Sequence, residues 1–173
     1  MPRNVEIKAL VKNLSVLKAK AVELSGTEGE LLHQEDVFFN SPQGRLKLRV
    51  IKGEKEELIY YERPDQEGPK FSDYIKVSGS PGELTGDLKT LLSRCLGVKG
   101  SVTKTRTLHL VQHTRVHIDS VQGLGDFMEL EVMLQDDQTV EDGEKVAKDL
   151  MEKLGIKEED LLKGAYMDMI LNK

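Results

Sequence analysis

Five short segments of this chain carry a charged side chain at every second residue. Successive side chains of a β-strand point to opposite faces, so charges at positions i and i+2 share one face and the residues between them share the other. The intervening residues are mostly apolar, which predicts strands with one charged and one apolar face. In a shared sheet these strands would collect cations beside carboxylates on one surface, which suits a metal-bound polyanion such as a triphosphate. The segments are residues 6–8, 45–49, 104–106, 115–119 and 129–131.

The length and charge of the chain limit the class of protein it can be. Its 173 residues are enough for one domain with a substantial core. The net charge of −5 argues against a general nucleic-acid-binding protein. No apolar run reaches the length of a membrane span, and the N-terminus lacks the apolar segment of a signal peptide. We therefore expect no nucleic-acid partner, no membrane association and a cytoplasmic location.

The cysteine content excludes two kinds of structural cross-link. The single cysteine, Cys95, cannot form an intramolecular disulfide, and it leaves no cysteine-based zinc site. Its apolar helical surroundings predict that it packs in the interior.

The hydrophobic period switches several times between two and about 3.6 residues. Segments with a period of two are separated mostly by short gaps, which predicts antiparallel neighbours. The turn Gly123-Leu124-Gly125 is typical of a hairpin rather than of a phosphate loop, because no helix follows it. The predicted strands are residues 3–11, 31–40, 45–52, 56–63, 71–79, 101–110, 112–121 and 126–135.

Helices are predicted where apolar residues recur at helical spacing. One runs from Leu14 to Leu24 and ends at Ser25-Gly26. A second begins at the capping-box spacing of Ser80-Pro81-Gly82-Glu83 and continues through Leu84 to Cys95. A third begins at Thr139 and ends at Gly155, and a short helical tail carries Tyr166. The whole chain, residues 1–173, is interpreted as one α+β domain.

The charged strand face has two possible locations. Eight strands in mostly hairpin order can form an open sheet or a closed barrel. Amphipathic helices need an apolar sheet surface to cover, so the charged face either lines a barrel or meets solvent, as in many half-exposed strands. Arg45, Lys47 and Arg49 repel one another on a solvated face, and Glu6, Glu129 and Glu131 offer the oxygen ligands that Mg²⁺ or Mn²⁺ prefers. Both details favour an interior site.

Segments spread along the chain resemble the CYTH superfamily of triphosphate tunnel metalloenzymes. Residues Asn4-Val5-Glu6-Ile7-Lys8 are similar to its signature strand, Glu-x-Glu-x-Lys. The similarity continues in order through residues 34–39, 45–49, 102–106, 115–119, 123–125 and 127–132. Residues 60–65 and 70–74 add a likeness to the class IV adenylyl cyclase branch. The resemblance implies a closed antiparallel eight-stranded β-barrel, a tunnel with helices packed on the outside.

The resemblance also implies a site inside the tunnel. Glu6, Glu129 and Glu131 would hold Mg²⁺ or Mn²⁺, and Glu6, Lys8 and Asp119 would be catalytic, Asp119 as a metal ligand or a base. Arginine can make bidentate contacts with phosphate, and lysine offers a compact charge. Tyr166 and Asp168 resemble a C-terminal segment that closes over the barrel. The phosphate-binding cations would be Arg45, Lys47, Arg49, Lys76, Lys104, Arg106 and Arg115.

The resemblance leaves several functions open. Asn4 stands where the family signature has its first glutamate, so the negative charge of the metal site is reduced. The expected partner is a small-molecule triphosphate (ATP, inorganic triphosphate or thiamine triphosphate), which is either hydrolysed or cyclised, by a monomer or a homodimer. The alternative is a non-catalytic barrel that binds nucleotides or polyphosphate. An ordinary barrel with an apolar cavity is disfavoured by the interior charges.

Overall fold

The structure, a computed structural model, describes residues 3–62 and 68–171. Predicted features at residues 63–67, including the end of the strand at 56–63, lie outside the described residues. The strands are β1 (Arg3–Leu10), β2 (Glu30–Phe39), β3 (Arg45–Ile51), β4 (Lys55–Glu62), β5 (Lys70–Gly79), β6 (Val98–Val111), β7 (Thr114–Val121), β8 (Gly125–Met133) and β9 (Leu161–Leu162). The helices are α1 (Leu14–Ser25), α2 (Asp87–Leu96), α3 (Val140–Leu154) and α4 (Tyr166–Leu171), with a 3₁₀ turn at Glu158–Asp160.

Eight of the strands form a closed antiparallel barrel, as predicted. The strand order is β5-β4-β3-β2-β6-β7-β8-β1-β9, and pairing of β5 with β1 closes the ring. Within the described residues, this closure pairs residues 70–73 with residues 3–6. The two-residue strand β9, which the sequence did not predict, pairs with β1 further along, at Lys8 and Ala9.

The main apolar core lies outside the barrel wall, between the sheet and two helices. Val5, Ile7 and Leu130 point outward from β1 and β8 and pack against Leu17 of α1 and Leu150 of α3. Both helices have the ends that the sequence predicts. In α1 the Asn13 side chain caps the first turn, and α3 has a capping box between Thr139 and Asp142. The polar faces of the strands therefore line the interior of the barrel.

Helix α2 begins later than predicted. The Glu83 carboxylate accepts a hydrogen bond from the Ser80 amide at 2.8 Å, but the helix starts only at Asp87. Between these points Gly82 and Gly86 have φ near +90°, which interrupts helical geometry. The buried carboxylate of Glu56 accepts hydrogen bonds from the amides of Gly82, Leu84 and Thr85, so these donors are satisfied in a loop. A capping pattern alone could not show this competing acceptor on β4.

The prediction that Cys95 packs in the interior is wrong. Helix α2 covers the outer face of β2 and β3 with Leu92 and Leu96. Cys95 and Leu91 are exposed, the latter by 59%. The apolar stripe of α2 is therefore narrower than the sequence suggested.

The carboxyl-terminal helix closes one end of the barrel. Tyr166 and Met167 of α4 pack into a cluster with Phe38, Val102 and Phe127, which lie where their strands reach that end. The hairpin turn predicted at residues 123–125 is present beside it, with the Leu124 amide donating to the Val121 carbonyl. Within the described residues, no helix combines the length and apolar character needed to cross a membrane.

Candidate active site

The inward strand faces enclose a charged cavity of about 240 Å³. Each wall strand contributes every second residue, as on β1, where Asn4, Glu6 and Lys8 face inward and Val5 and Ile7 face outward. The structure therefore places most of the predicted site in one tunnel. The predicted residues that line it are Glu6, Lys8, Lys47, Arg49, Lys76, Lys104, Arg106, Arg115, Glu129 and Glu131.

Arg45 is separated from this cavity. Its guanidinium donates to Asp168 of α4 at 3.1 Å, and Lys99 lies 3.7 Å from the same carboxylate. These residues line a second, smaller pocket outside the plugged end of the barrel. Arg45 begins β3, and the strand pattern cannot show that α4 lies at that end. The predicted role of Arg45 in binding substrate is thus not supported by its position.

Asp119 is buried and fully paired instead of lining the cavity. Its side chain accepts two hydrogen bonds from Arg106 at 2.7 Å and one from the Tyr166 hydroxyl at 2.9 Å. Burial alone would raise the pKa of Asp119, but the charge and hydrogen bonds of Arg106 lower it. Asp119 is thus suited to fixing the guanidinium of Arg106, and its predicted roles as a base or metal ligand remain predictions.

The two glutamates of β8 have opposite environments. Glu129 lies 3.7 Å from Lys8 and 3.5 Å from Arg106. Its burial favours a raised pKa, but the charges of Lys8 and Arg106 hold the pKa well below the usual value. Glu131 lies opposite Glu6 in the register of β1 and β8. Burial and the charge of Glu6 raise the pKa of Glu131 despite Arg115 at 2.8 Å.

The donor set around Glu131 fits a hard divalent cation. Two carboxylates held together repel each other unless a cation compensates. Asn4, on the same inward face as Glu6, is 2% exposed, and no described residue donates a hydrogen bond to its Oδ1. Carboxylate and amide oxygens are the ligands that Mg²⁺ and Mn²⁺ prefer. Among the described residues, however, no three His, Cys, Asp or Glu side chains lie close enough together to hold a metal ion.

The opposite wall carries a second set of ion pairs. Asp36 of β2 accepts two hydrogen bonds from Arg49 at 2.8 Å and lies 3.5 Å from Lys47. Glu57 of β4 lies 3.0 Å from Lys76. Neither acid is among the site residues predicted from the sequence. Alternation along their strands could have identified both acids. On β2, for example, Gln34, Asp36 and Phe38 share one face.

Two lysines of the tunnel have unusual acid–base properties. Burial, aided by the charge of Arg49, lowers the pKa of Lys47 to about 8. Burial and the charge of Arg106 lower the pKa of Lys104 to about 7. Both amines can therefore change protonation state near neutral pH.

The α4 plug reaches the base of the tunnel through one aromatic ring. The Tyr166 ring lies 4.0 Å from the Lys8 ammonium and 5.0 Å from that of Lys104, within cation–π range. The predicted closing segment thus contacts the charged site directly, in addition to packing against apolar residues.

The family profile of the CYTH domain matches residues 2–166 of the chain. This protein belongs to the CYTH domain family. The resemblance of the strand motifs to that family is thereby confirmed. No protein in the curated set matches the chain at a significant level.

Solved structures share the CYTH fold over nearly their whole length. The PH1012 protein of Pyrococcus horikoshii OT3 is 26% identical, with a TM-score of 0.77 over 95% of this chain and 98% of its own. A conserved Pyrococcus furiosus protein is 23% identical, with a TM-score of 0.76 over 95% and 98%. A Vibrio parahaemolyticus protein, provisionally named an adenylate cyclase, is 19% identical, with a TM-score of 0.75 over 98% of both chains.

Proposed function

We propose that this CYTH protein is a divalent-metal-dependent enzyme that hydrolyses a small-molecule triphosphate inside the tunnel. The observation that carries the proposal is the convergence of buried cations and carboxylates in one cavity closed at one end by α4. An apolar ligand would gain nothing from such a lining, because each buried charge must be paired.

The charge balance of the tunnel supports a requirement for metal. Among the described residues that line it, eight are Lys or Arg and seven are Asp or Glu. The protein charges therefore nearly cancel, whereas a triphosphate brings about four negative charges. A divalent cation supplies positive charge that the side chains lack.

The residues of the chain would divide the work between metal and phosphate. Asn4, Glu6 and Glu131 fit the metal, with Glu129 beside them. When bound, the ion would polarise a phosphoryl oxygen and lower the pKa of a water molecule. Arg49 and Arg106, each held by a bidentate aspartate, present rigid guanidinium groups to phosphate oxygens. Lys104, with its pKa near 7, can hold or release a proton beside them.

The size of the cavity favours hydrolysis over cyclisation. Pockets for drug-sized ligands usually have volumes of roughly 300–1,000 Å³, and this tunnel has about 240 Å³. Cyclisation requires the ribose and the α-phosphate of ATP to be held together in a defined pose. A compact substrate such as inorganic triphosphate needs only the charged walls.

Product analysis tests the proposal. The protein is incubated with inorganic triphosphate, thiamine triphosphate or ATP and with Mg²⁺, Mn²⁺ or a chelator. We expect metal-dependent release of orthophosphate, lost in Glu131→Gln and retained in Glu35→Gln, a matched change on an exposed residue of β2. Cyclic AMP with pyrophosphate from ATP would instead establish a cyclase. Binding without turnover of any substrate would establish a non-catalytic barrel.

A further inference from the structure

Among the described side chains of the tunnel, His117 is a titratable group that takes no part in the network of ion pairs. His117 of β7 lines the cavity and is 5% exposed. Its neighbours on the same strand face are paired, Arg115 with Glu131 and Asp119 with Arg106. Within the described residues, Nδ1 of His117 is enclosed and makes no hydrogen bond.

This arrangement is unfavourable for folding alone. A buried polar atom without a partner costs about 1–3 kcal/mol, and a leucine at this position would avoid that cost. Because Nδ1 is enclosed and His117 lines the cavity, Nε2 is the ring nitrogen left to meet a ligand in the tunnel.

The imidazole of His117 lies among the charged groups of the proposed phosphate-binding wall. His117 lies opposite Glu129 in the register of β7 and β8 and opposite Leu108 in the register of β6 and β7. Burial lowers its pKa well below the usual value, and the charges of Arg106 and Lys104 lower it further. These two cations belong to the proposed phosphate-binding wall, so phosphate oxygens held there lie near the imidazole. A neutral imidazole still has one N–H group to donate.

We propose that His117 is a substrate-binding residue whose Nε2–H donates a hydrogen bond to a phosphate oxygen of the triphosphate. The inference rests on the proposed function, because it needs a polyphosphate in the tunnel. Nε2 adds a directional donor to a wall otherwise made of cations, and it adds no charge to a tunnel whose charges already nearly cancel.

Four substitutions separate this role from a structural one. Binding of inorganic triphosphate with Mg²⁺ is measured by calorimetry, and unfolding without ligand by circular dichroism. His117→Gln places an amide near the position of Nε2, and His117→Asn places one near Nδ1. His117→Leu removes both nitrogens at similar volume. His33→Leu is the matched control, because His33 is exposed on the outer face of β2.

The expected results follow from the loss of a hydrogen bond to a charged group. His117→Leu should weaken binding about tenfold to a hundredfold while its melting temperature without ligand stays equal or rises. His117→Gln should bind within about threefold of wild type. His117→Asn should bind as weakly as the leucine variant, and His33→Leu should bind as wild type does.

Different failures point to different errors. Wild-type protein that does not bind triphosphate with metal would overturn the proposed function and this inference with it. Wild-type binding that His117→Leu leaves unchanged would overturn only the role of His117. Rescue by asparagine but not by glutamine would overturn the assignment of Nε2. A leucine variant with a clearly lower melting temperature would show that the imidazole is structural.

Discussion

At the scale of single residues, the two glutamates of β8 contribute oppositely to the stability of the metal-free protein. The raised pKa of Glu131 means that the folded state disfavours its charged form, so Glu131 contributes stability at acid pH that is lost as pH rises through its folded pKa. The lowered pKa of Glu129 means that its charged form stabilises the fold above the usual glutamate pKa, and this contribution is lost on acidification.

This contrast gives the first prediction. Without metal at pH 7, Glu131→Gln should melt at the same temperature as wild type or higher. Glu129→Gln should be destabilised by about 3 kcal/mol, because Lys8 and Arg106 then lose a partner in a buried site. Denaturant unfolding at pH 7 and pH 4 measures both, and the two variants should differ less at pH 4. Equal destabilisation at pH 7 would contradict the assigned environments.

The second prediction concerns the pH dependence of substrate binding. The pKa of Lys104 is lowered to about 7, so its positive charge is lost as pH rises through neutrality. Affinity for triphosphate should therefore fall between about pH 6 and pH 8, and binding at pH 8 should take up protons as the anion restores the charged amine. Calorimetry in buffers of different ionisation enthalpy measures the uptake. It should shrink in Lys104→Met, and an unchanged uptake there would assign the proton to another group.

Single residues also show what sequence reasoning could reach. Alternation on a strand places Lys8, Arg106 and Glu131 on one interior face, because the pleat allows little else. It could not show that Asp119 is enclosed by Arg106 and Tyr166, since that depends on contact between β7 and α4, 47 residues apart. Arg45 has the same alternating signal as Lys47, yet it lies at the plugged end and pairs with Asp168.

At the scale of elements, the barrel strands were predictable because most alternate with a period of two, and several, such as β2 before Asn40 and β3 before Lys52-Gly53, end beside glycine or asparagine. The start of α2 was not predictable from its own segment. Glu56 on β4 accepts hydrogen bonds from the amides of Gly82 and Leu84, which the capping pattern would have placed in the first turn of the helix. The strand β9 is too short for any periodic signal. It forms only because the chain between α3 and α4 passes along β1 beyond the end of its pairing with β5.

The third prediction tests the coupling of α4 to the site. Tyr166→Phe keeps the ring that packs on Phe127 but removes the hydrogen bond to the buried Asp119 carboxylate. We expect a loss of about 1–3 kcal/mol in stability and weaker triphosphate binding, because Arg106 is then held by a less restrained partner. Met169→Leu, a matched change on the same helix, should affect neither. Wild-type affinity in Tyr166→Phe would show that α4 only seals the barrel.

At the scale of the whole molecule, the protein inverts the usual arrangement of a small domain. Its apolar core lies between the barrel wall and the outer helices, and the centre is filled by ion pairs. Buried ion pairs add little net stability, because desolvation offsets their attraction. A ligand that binds only inside the folded barrel is therefore expected to add stability that the ion pairs alone do not provide.

This leads to the last prediction. Inorganic triphosphate with Mg²⁺ should raise the melting temperature strongly, because the ligand binds only the closed barrel, whose ring depends on the short β1–β5 pairing. A hundredfold excess over Kd stabilises the folded state by about 2.7 kcal/mol, which corresponds to roughly 5–10 °C for a chain of this length. Orthophosphate at the same ionic strength should give a much smaller shift, because it spans only part of the cationic wall. A scanning fluorimetry series with triphosphate, orthophosphate and sulfate, each with and without Mg²⁺, makes the comparison. Equal shifts from all three anions would mean that the tunnel responds to negative charge in general and does not distinguish a triphosphate.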